Sequence, residues 1–280
     1  MRQCIHCKKR IDGFWRFLKT KHPECDALYN SGKKEILNIS IQSALKWADE
    51  VDVPGQISKI AQAHFVPEKD LGIILVKAWE SALDKVLEDN VLSAEEEKNL
   101  MAFASHFSLD ESQLDVHGAY TKAAMNGCLR DVLEGKIPHR QKIDGLTTFN
   151  FQKDETPVWL FKGVECYEEK IKRTYEGRSS GVSVKIAKGV YYRTGAFRGH
   201  PIETPYMALI GTGLLALTNK HFYFSSPLKS FRVPFSKIVS FTSFDDGIGF
   251  TKDGVSGKPQ FFKTGNGWFT YNLALNLSKL

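Results

Sequence analysis

Hydrophobic positions recur with a helical period between residue 35 and residue 135. Four segments carry the pattern, namely ILNISIQSALKWADEV, DLGIILVKAWESALDKVLED, NVLSAEEEKNLMAFASHF and a last one that starts near Asp110 and stops at Gly135. Apolar residues three or four positions apart lie on one side of a helix. Ser93 and Glu96 have the spacing of a capping box at the start of the third segment. The pattern predicts an all-α bundle.

From residue 157 the period shortens to two and turn residues become frequent, which is typical of strands. The predicted strands are Val158–Val164, Val182–Tyr192, Met207–Leu217, His221–Ser225, Phe231–Val233, Ile238–Phe244, Ile248–Lys252 and Gln260–Lys263. Gly177 to Gly181 is predicted to be a flexible turn. The last segment, GNGWFTYNLALNLSKL, returns to helical spacing. Seven or so antiparallel strands followed by one amphipathic helix predict a small β-barrel that the helix closes at one end.

Together these patterns predict an α+β multidomain chain. Its modules are a short N-terminal segment (1–34), the helical bundle (35–135), a linker (136–156) and the barrel (157–280). Charge segregates along the same lines: residues 1–34 hold 9 Lys/Arg against 3 Asp/Glu, residues 35–156 hold 12 against 21, and residues 157–280 hold 17 against 8. Surfaces of one sign attract partners of the opposite sign but do not identify them.

The N-terminal segment contains the strongest chemical motif. Cys4 and Cys7 form a Cys-x2-Cys pair, and His22 and Cys25 form a second pair with the same spacing, beginning 15 residues after Cys7. Zinc takes four sulfur or nitrogen ligands in a tetrahedron, and each pair supplies two from one turn. We therefore expect a structural zinc ion (Zn²⁺), and the segment resembles small zinc knuckles and treble clefs. A redox pair and metal-free thiols are the alternatives.

The remaining cysteines, Cys128 and Cys166, bring the total to an odd number of five. Three of the five lie in the first 25 residues, which argues against a secreted disulfide framework and for a reducing cytoplasm. No window approaches 18 consecutive apolar residues, so we expect no membrane span. No apolar signal-peptide core follows the basic N-terminus.

Residues 8–21 interleave basic and aromatic side chains, a mixture that can pair with phosphates and stack on bases. They are Lys8, Lys9, Arg10, Phe14, Trp15, Arg16, Phe17, Lys19 and Lys21. A nucleic-acid partner is therefore one alternative for this segment. The other is that the aromatic residues pack on the metal site while the lysines face solvent.

The helical stretch ALDKVLEDNVLSAEEEKNLMAFASHFSLDESQL resembles the TerB-like, tellurite-resistance-associated domain. Some members of that family are thought to bind metal through acidic residues. The acidic side chains of this stretch that could act as such ligands are Asp84, Glu88, Asp89, Glu95, Glu96 and Glu97. They lack the alternating aspartates of a calcium-binding loop, and acidic residues at a helix start need no metal.

The stretch GTGLLALTNKHFYFSSPLKSFRVPFSKIVSF resembles bacterial pleckstrin-homology-like and GRAM-like domains. The resemblance rests on Gly213, Leu217, Thr218, Asn219, Tyr223, Phe224, Pro234, Phe235 and Ile238. It implies binding of proteins, peptides or lipid head groups, and almost never catalysis. A lipid head group is the weaker candidate.

One basic and aromatic stretch, GVSVKIAKGVYYRTGAFRGHPIETP, departs from the pattern of that family. Arginine and tyrosine are frequent anchors of interfaces. The candidate partner-binding residues are Lys185, Lys188, Tyr192, Arg193, Phe197, Arg198 and His200. A plain hairpin with solvated basic residues is the alternative.

No nucleophile elbow, HExxH motif, phosphate loop or paired carboxylate–histidine arrangement is found in the sequence. The sequence therefore favours a non-enzymatic adaptor that binds a protein partner through the barrel and helical modules. Nucleic-acid binding through the knuckle and the basic barrel is the alternative function. The two module resemblances suggest a bacterial protein of stress or phage defence, an association at the level of folds.

Overall fold

The structure is a computed structural model that describes residues 3–11, 20–48, 52–88, 92–138, 148–187, 190–254 and 257–280, with backbone alone within 176–187 and 190–199. The chain divides into two compact units, Met1–Glu134 and Gly135–Leu280. The first unit is helical and the second is mainly β-sheet with one helix. This confirms the mixed α+β composition that the hydrophobic pattern predicts.

Six helices form most of the first unit. They are α1 (Pro23–Leu45), α2 (Val53–Ala63), α3 (Glu68–Val86), α4 (Ala94–His106), α5 (Glu111–Leu114) and α6 (Ala119–Leu133). Helix α1 runs through residue 34, where the sequence predicts a module boundary. The single helix expected from Asp110 to Gly135 is wrong. Helix α5 ends at Leu114, and Gly118, whose φ of +76° is left-handed, is the N-cap of the separate helix α6.

Local signals explain where these helices begin. The Oγ atom of Ser93 accepts a hydrogen bond from the Glu96 amide at 3.2 Å, and the Glu96 carboxylate accepts from the Ser93 amide at 2.9 Å. This confirms the capping box predicted at α4. At α2, the Asp52 carboxylate accepts from the Gly55 amide at 2.9 Å. Each cap satisfies amide groups that the helix itself cannot pair.

Apolar side chains and two polar anchors hold the helices together. The fully buried Trp79 of α3 donates its indole N–H to the Leu100 carbonyl of α4 at 2.9 Å. Arg130 of α6 donates to the Leu92 carbonyl at 3.0 Å and to the Glu97 carboxylate at 2.8 Å. The apolar core around these anchors includes Ile36, Ile57, Ile74, Leu83, Phe103 and Leu114.

The second unit is a seven-stranded antiparallel sheet curled into a half-barrel, followed by α7 (Gly267–Leu277). Its strands are β1 (Pro157–Ala187), β2 (Val190–Thr218), β3 (His221–Ser225), β4 (Ser230–Pro234), β5 (Ile238–Phe244), β6 (Gly247–Lys252) and β7 (Gln260–Lys263). Their order across the sheet is β4-β3-β2-β1-β7-β6-β5. The predicted C-terminal helix is confirmed. The predicted barrel is confirmed only as this curled sheet, with β4 and β5 at its two ends.

Phenylalanine side chains form the core of the second unit. The ring centroid of Phe222 lies 5.1 Å from that of Phe250, and Phe250 lies 5.4 Å from Phe262. Helix α7 joins this core through Phe269, whose ring meets Trp159 edge-on at 4.9 Å. Ring pairs at these separations add stabilisation beyond the burial of apolar area.

Strands β1 and β2 are far longer than their neighbours, with 31 and 29 residues. Strand β7 pairs with β1 only over Glu165–Glu168, and β3 pairs with β2 only over Leu214–Leu217. From Lys170 to Ala187, β1 therefore pairs only with β2, among the strands of the described chain. We name this two-stranded part, Lys170–Ala187 with Val190–Tyr206, the ribbon. At about 3.3 Å per residue its strands extend about 60 Å.

The ribbon corrects two predictions. The expected strand Val182–Tyr192 is wrong, because β1 ends at Ala187 and β2 starts at Val190. The expected turn at 177–181 is also wrong, since that segment lies inside β1. Its two glycines pair across the ribbon with two others, Gly177 with Gly199 and Gly181 with Gly195. Glycine can adopt extended backbone as readily as turn backbone, so its presence alone does not distinguish the two.

Candidate metal centre and candidate partner surface

Two local elements bring the predicted metal ligands together. The segment 3–10 doubles back through an antiparallel bridge between Gln3 and Arg10 and a 2.8 Å hydrogen bond from the Cys4 amide to the Lys9 carbonyl. Cys4 and Cys7 lie inside this loop. His22 caps the start of α1, and Cys25 lies in the first turn of that helix. The loop and the helix start therefore each supply one pair of ligands.

The four side chains converge closely enough to hold one metal ion. One ligand atom from each of Cys4, Cys7, His22 and Cys25 lies within 4.8 Å of the other three. The Nδ1 atom of His22 is 3.4 Å from the Cys7 sulfur and 3.7 Å from the Cys25 sulfur. Around a tetrahedral ion with bonds of about 2.0 to 2.3 Å, ligand atoms lie roughly 3.5 to 3.8 Å apart. The four predicted ligands therefore fit a metal ion.

Neighbouring backbone atoms orient two of these ligands. The Nε2 atom of His22 lies 3.1 Å from the Arg10 carbonyl. A proton on Nε2, donated to that carbonyl, leaves the lone pair of Nδ1 for a metal, as is usual for ligating histidines. The His22 amide also approaches the Cys4 sulfur at 3.4 Å, which favours the thiolate. The loop of residues 3–10 thus contributes an oriented carbonyl besides its cysteines, and the start of α1 contributes an amide.

The thiols differ strongly in acidity. Burial disfavours the Cys4 thiolate, but hydrogen bonds from the backbone of His22, Cys7 and His6 outweigh it and lower the pKa of Cys4 to about 6. Burial, followed by the sulfurs of Cys7 and Cys4, raises the pKa of Cys25 to about 11. Adjacent thiolates repel one another, and a cation between them removes that repulsion. The cluster is therefore suited to binding a cation.

All five cysteines are free thiols. Four protein ligands complete a tetrahedron and leave no coordination position for a substrate, which is the arrangement of structural sites. The geometry supports a metal ion at this place and does not identify which metal it is.

Three of the acidic side chains of the helical stretch have other partners. Asp84 forms an ion pair with Lys122 at 2.9 Å, Glu96 caps α4, and Glu97 pairs with Arg130. Asp89 lies outside the described residues. Among the residues that the structure describes, the only group of metal-ligating side chains is the cluster of three cysteines and His22.

The candidate partner-binding residues lie within residues 177–200, the part of the ribbon that we name the outer ribbon. The backbone register pairs Lys185 with Tyr191, Val184 with Tyr192, Ser183 with Arg193, Ser179 with Phe197 and Arg178 with Arg198. His200 pairs with Glu176 and is exposed. Lys188 lies outside the described residues. The register of β1 and β2 therefore places the described residues of this set on two paired strands.

A buried polar cluster in the second unit has no counterpart among the predictions from sequence. The Glu155 carboxylate is fully buried and accepts hydrogen bonds from the Thr218 hydroxyl, from Tyr223 Oη at 2.7 Å and from the Gln152 amide at 2.9 Å. His221 Nδ1 lies 2.7 Å from the same carboxylate. Burial opposes ionisation, yet these hydrogen bonds outweigh it and lower the pKa of Glu155.

This cluster fixes the end of the predicted linker to the sheet. The rings of Phe149 and Phe151 also pack against Tyr223, at 5.9 and 5.0 Å. Glu155 and its partners in β2 and β3 are more than 60 residues apart in the chain. No local spacing in the sequence could have shown that they meet.

Comparisons with known proteins give no family assignment. No protein-family model matches the chain, and a search of curated proteins finds no similar sequence. Within the described ranges, no helix has the length and apolar character needed to span a membrane.

Proposed function

We propose that this chain is a non-enzymatic adaptor that binds a protein partner along the ribbon. The proposal is supported chiefly by the ribbon itself, in which 18 residues of β1 pair only with β2 among the described strands. An isolated two-stranded antiparallel structure is marginally stable in water. A second surface that packs on the ribbon would stabilise it, and this favours a role in binding.

The charge of the outer ribbon indicates the kind of partner. Residues 177–200 contain five Lys/Arg and no Asp/Glu. The candidate contact residues Lys185, Lys188, Tyr192, Arg193, Phe197, Arg198 and His200 all belong to this segment. Charged interfaces gain association rate and specificity from opposite charge, and arginine and tyrosine often anchor them. We therefore expect an acidic protein surface as the partner.

The finer assignments belong to the same proposal. The strand order β4-β3-β2-β1-β7-β6-β5 followed by α7 supports a pleckstrin-homology-like second unit, and the capped α-helical bundle supports a TerB-like first unit. The four ligands support a structural zinc ion, since thiolates and imidazole suit zinc. Free thiols agree with a reducing cytoplasm. A role in bacterial stress or phage defence rests on the module resemblances alone.

Reversing two charges on the outer ribbon tests the adaptor function. In Arg193→Glu/Arg198→Glu we expect a stoichiometric, nuclease-resistant protein partner to be lost at least tenfold in quantitative co-purification from the source cell. The matched control, Lys258→Glu/Lys279→Glu, reverses two exposed charges that lie outside residues 177–200. Equal recovery of the partner by a folded ribbon variant and by the control would overturn the proposed surface.

Nucleic acid is the second candidate partner, because the ribbon also fits a geometric requirement of duplex recognition. The major groove of DNA admits a two-stranded β-ribbon, and basic side chains pair with phosphates. Residues 8–21 would add further basic groups. Recovery of nucleic acid alone, lost steeply as salt rises, would favour this function over the adaptor.

A further inference from the structure

The inner part of the ribbon and the strand segments just before it have two faces with different chemistry. Residues directly opposite in an antiparallel pair lie on the same face. One face contains the pairs Tyr167–Leu209, Glu169–Met207, Ile171–Pro205, Arg173–Glu203 and Tyr175–Pro201. Four apolar side chains on it are exposed by 45 to 63%; we name Ile171, Tyr175, Met207 and Leu209 the apolar row. Soluble sheets seldom leave such a row open to water.

The order of residues along β1 makes the β1 half of this face complementary to itself, while on β2 the same two-fold operation places Glu203 opposite Met207. Ile171 lies at the centre. Glu169 and Arg173 lie two residues to either side, and Tyr167 and Tyr175 lie two residues further out. Two copies that stack through this face can be related by a two-fold axis that lies between them, perpendicular to the strands at the level of Ile171. This axis exchanges the positions on either side of Ile171, so acid lies opposite base and aromatic opposite aromatic. In a two-fold interface each residue contact occurs twice.

The opposite face does not have this property. Lys170 and Lys172 are neighbours on it, and both are exposed. A two-fold axis at the level of residue 171 would bring Lys170 of one copy against Lys172 of the other. Like charges placed opposite each other destabilise a pairing. The charge pattern therefore distinguishes the two faces.

We infer that the face with the apolar row binds the same face of a second copy of this chain, about a two-fold axis at Ile171. Within one chain Arg173 already pairs with Glu203, at 2.7 Å between Nε and Oε1. In the dimer Glu169 of each copy adds a second carboxylate to Arg173 of the other, and the Tyr175 end of each meets the Tyr167–Leu209 end of the other. Residues 177–200 lie beyond this face. The pairing is thus independent of the proposed partner site, and it would give the adaptor two such sites.

The size of the face sets the expected affinity. Nine residues on each of two strands cover roughly 30 Å by 10 Å, or about 300 Å² per copy and about 600 Å² over both copies. Stable interfaces bury about 1,200 to 2,000 Å² in total. We therefore expect a reversible dimer with a dissociation constant in the micromolar range, on the order of 10 to 100 µM.

Two isoleucines provide a matched test. Ile171 and Ile202 are exposed by 51% and 41%, and they lie on opposite faces. Sedimentation velocity of the full-length protein from about 1 to 300 µM should show a monomer–dimer equilibrium for the wild type and for Ile202→Ser. Ile171→Ser should weaken dimerisation at least tenfold. A wild type that stays monomeric throughout, or equal effects of the two substitutions, would overturn the inference.

Charge exchange tests the two-fold arrangement itself. Glu169→Arg should abolish the dimer, because it brings like charges together twice across the two-fold axis. The triple variant Glu169→Arg/Arg173→Glu/Glu203→Arg should restore it, because it reverses both this contact and the ion pair between residues 173 and 203 within each chain. Lys172→Glu, on the opposite face, should leave the dimer intact. Circular dichroism of every variant establishes that the sheet is folded. Failure of the triple variant to recover dimerisation, with its spectrum unchanged, would exclude this pairing.

Discussion

Two short segments of this chain are fixed to the structure by polar atoms, and they are fixed in different ways. In the first unit, the hairpin of residues 3–10 meets the start of α1 through Cys4, Cys7, His22 and Cys25. In the second unit, residues 148–156 meet the sheet through the buried carboxylate of Glu155. Neither segment is long enough to bury a hydrophobic core of its own.

The difference lies in whether the cluster satisfies itself. Around Glu155, hydroxyl and amide donors point to one carboxylate, so acceptor and donors match within the protein. At the N-terminal cluster all four side chains offer electron pairs, and ionisation of one thiol raises the pKa of another. A group of acceptors that converge calls for a cation. A chelator should therefore destabilise the attachment of residues 3–10, and acid should destabilise the attachment of residues 148–156.

The largest expected effect is removal of the metal. Cys4→Ser or Cys25→Ser should lose one bound metal ion per chain, measured by elemental mass spectrometry. Hydrogen exchange should then show the largest loss of amide protection in residues 3–11, with a smaller decrease in α3 to α6. Structural zinc in small peptides contributes on the order of 10 kcal/mol of folding free energy.

Cys128→Ser is the matched control, because Cys128 is a buried thiol in α6, away from the cluster. It should keep the full metal content. Unchanged metal content in both Cys4→Ser and Cys25→Ser would show that the ligand assignment is wrong.

The second effect is the loss of the buried carboxylate. Glu155→Ala leaves the hydrogen-bonding groups of Thr218, His221 and Tyr223 without their shared partner, which should lower the free energy of unfolding of the second unit by about 2 to 3 kcal/mol. Denaturant unfolding of the full-length protein, with hydrogen exchange to locate the effect, measures this. Asp246→Ala removes an exposed ion pair with Lys263 and should cost under about 1 kcal/mol. Equal decreases in the free energy of unfolding in the two variants would contradict this role of Glu155.

The pH dependence of the second unit provides the third test. The pKa of Glu155 is lowered in the folded chain, so its stabilisation is present above the ordinary pKa of about 4.5. It is lost as the pH falls from there through the lowered pKa. The free energy of unfolding of Glu155→Gln should lack this part of the acid dependence. An identical acid dependence in wild type and variant would assign it to other carboxylates.

The smallest expected effect is at a helix cap. Ser93→Ala removes the Oγ acceptor of the capping box and should lower the free energy of unfolding of the first unit by about 1 kcal/mol. Ser112→Ala alters an exposed serine that no cap uses as an acceptor and should change it less. A Ser93→Ala variant as stable as the wild type would mean that tertiary packing alone sets the start of α4.

The features that the sequence predicted depend on residues close together in the chain. The two residues of the capping box are three positions apart, and so are the two residues of each pair in the metal cluster. Helix α7 follows from the spacing of apolar residues in a single segment. Short-range rules of this kind hold because the same few backbone geometries recur in every protein.

The features that the sequence missed depend on pairing between distant segments. The ribbon needs residue 170 to meet residue 206, and Glu155 needs His221. In the sequence, a glycine between two helices, such as Gly118, looks the same as a glycine inside a strand, such as Gly177. Whether it turns the chain or extends it is decided by the packing of the helices and the register of the sheet.

Helix α1 gives the first unit one further property. It presents His22 and Cys25 at its first turn and buries Ile36 and Ala44 in the apolar core further along. Because the ligand positions exist only when this helix is formed, metal binding and folding of the bundle are thermodynamically linked. Above the dissociation constant, each tenfold rise in free metal adds about 1.4 kcal/mol to the stability of the bundle. The lifetime of this unit in a cell would thereby follow the supply of its metal.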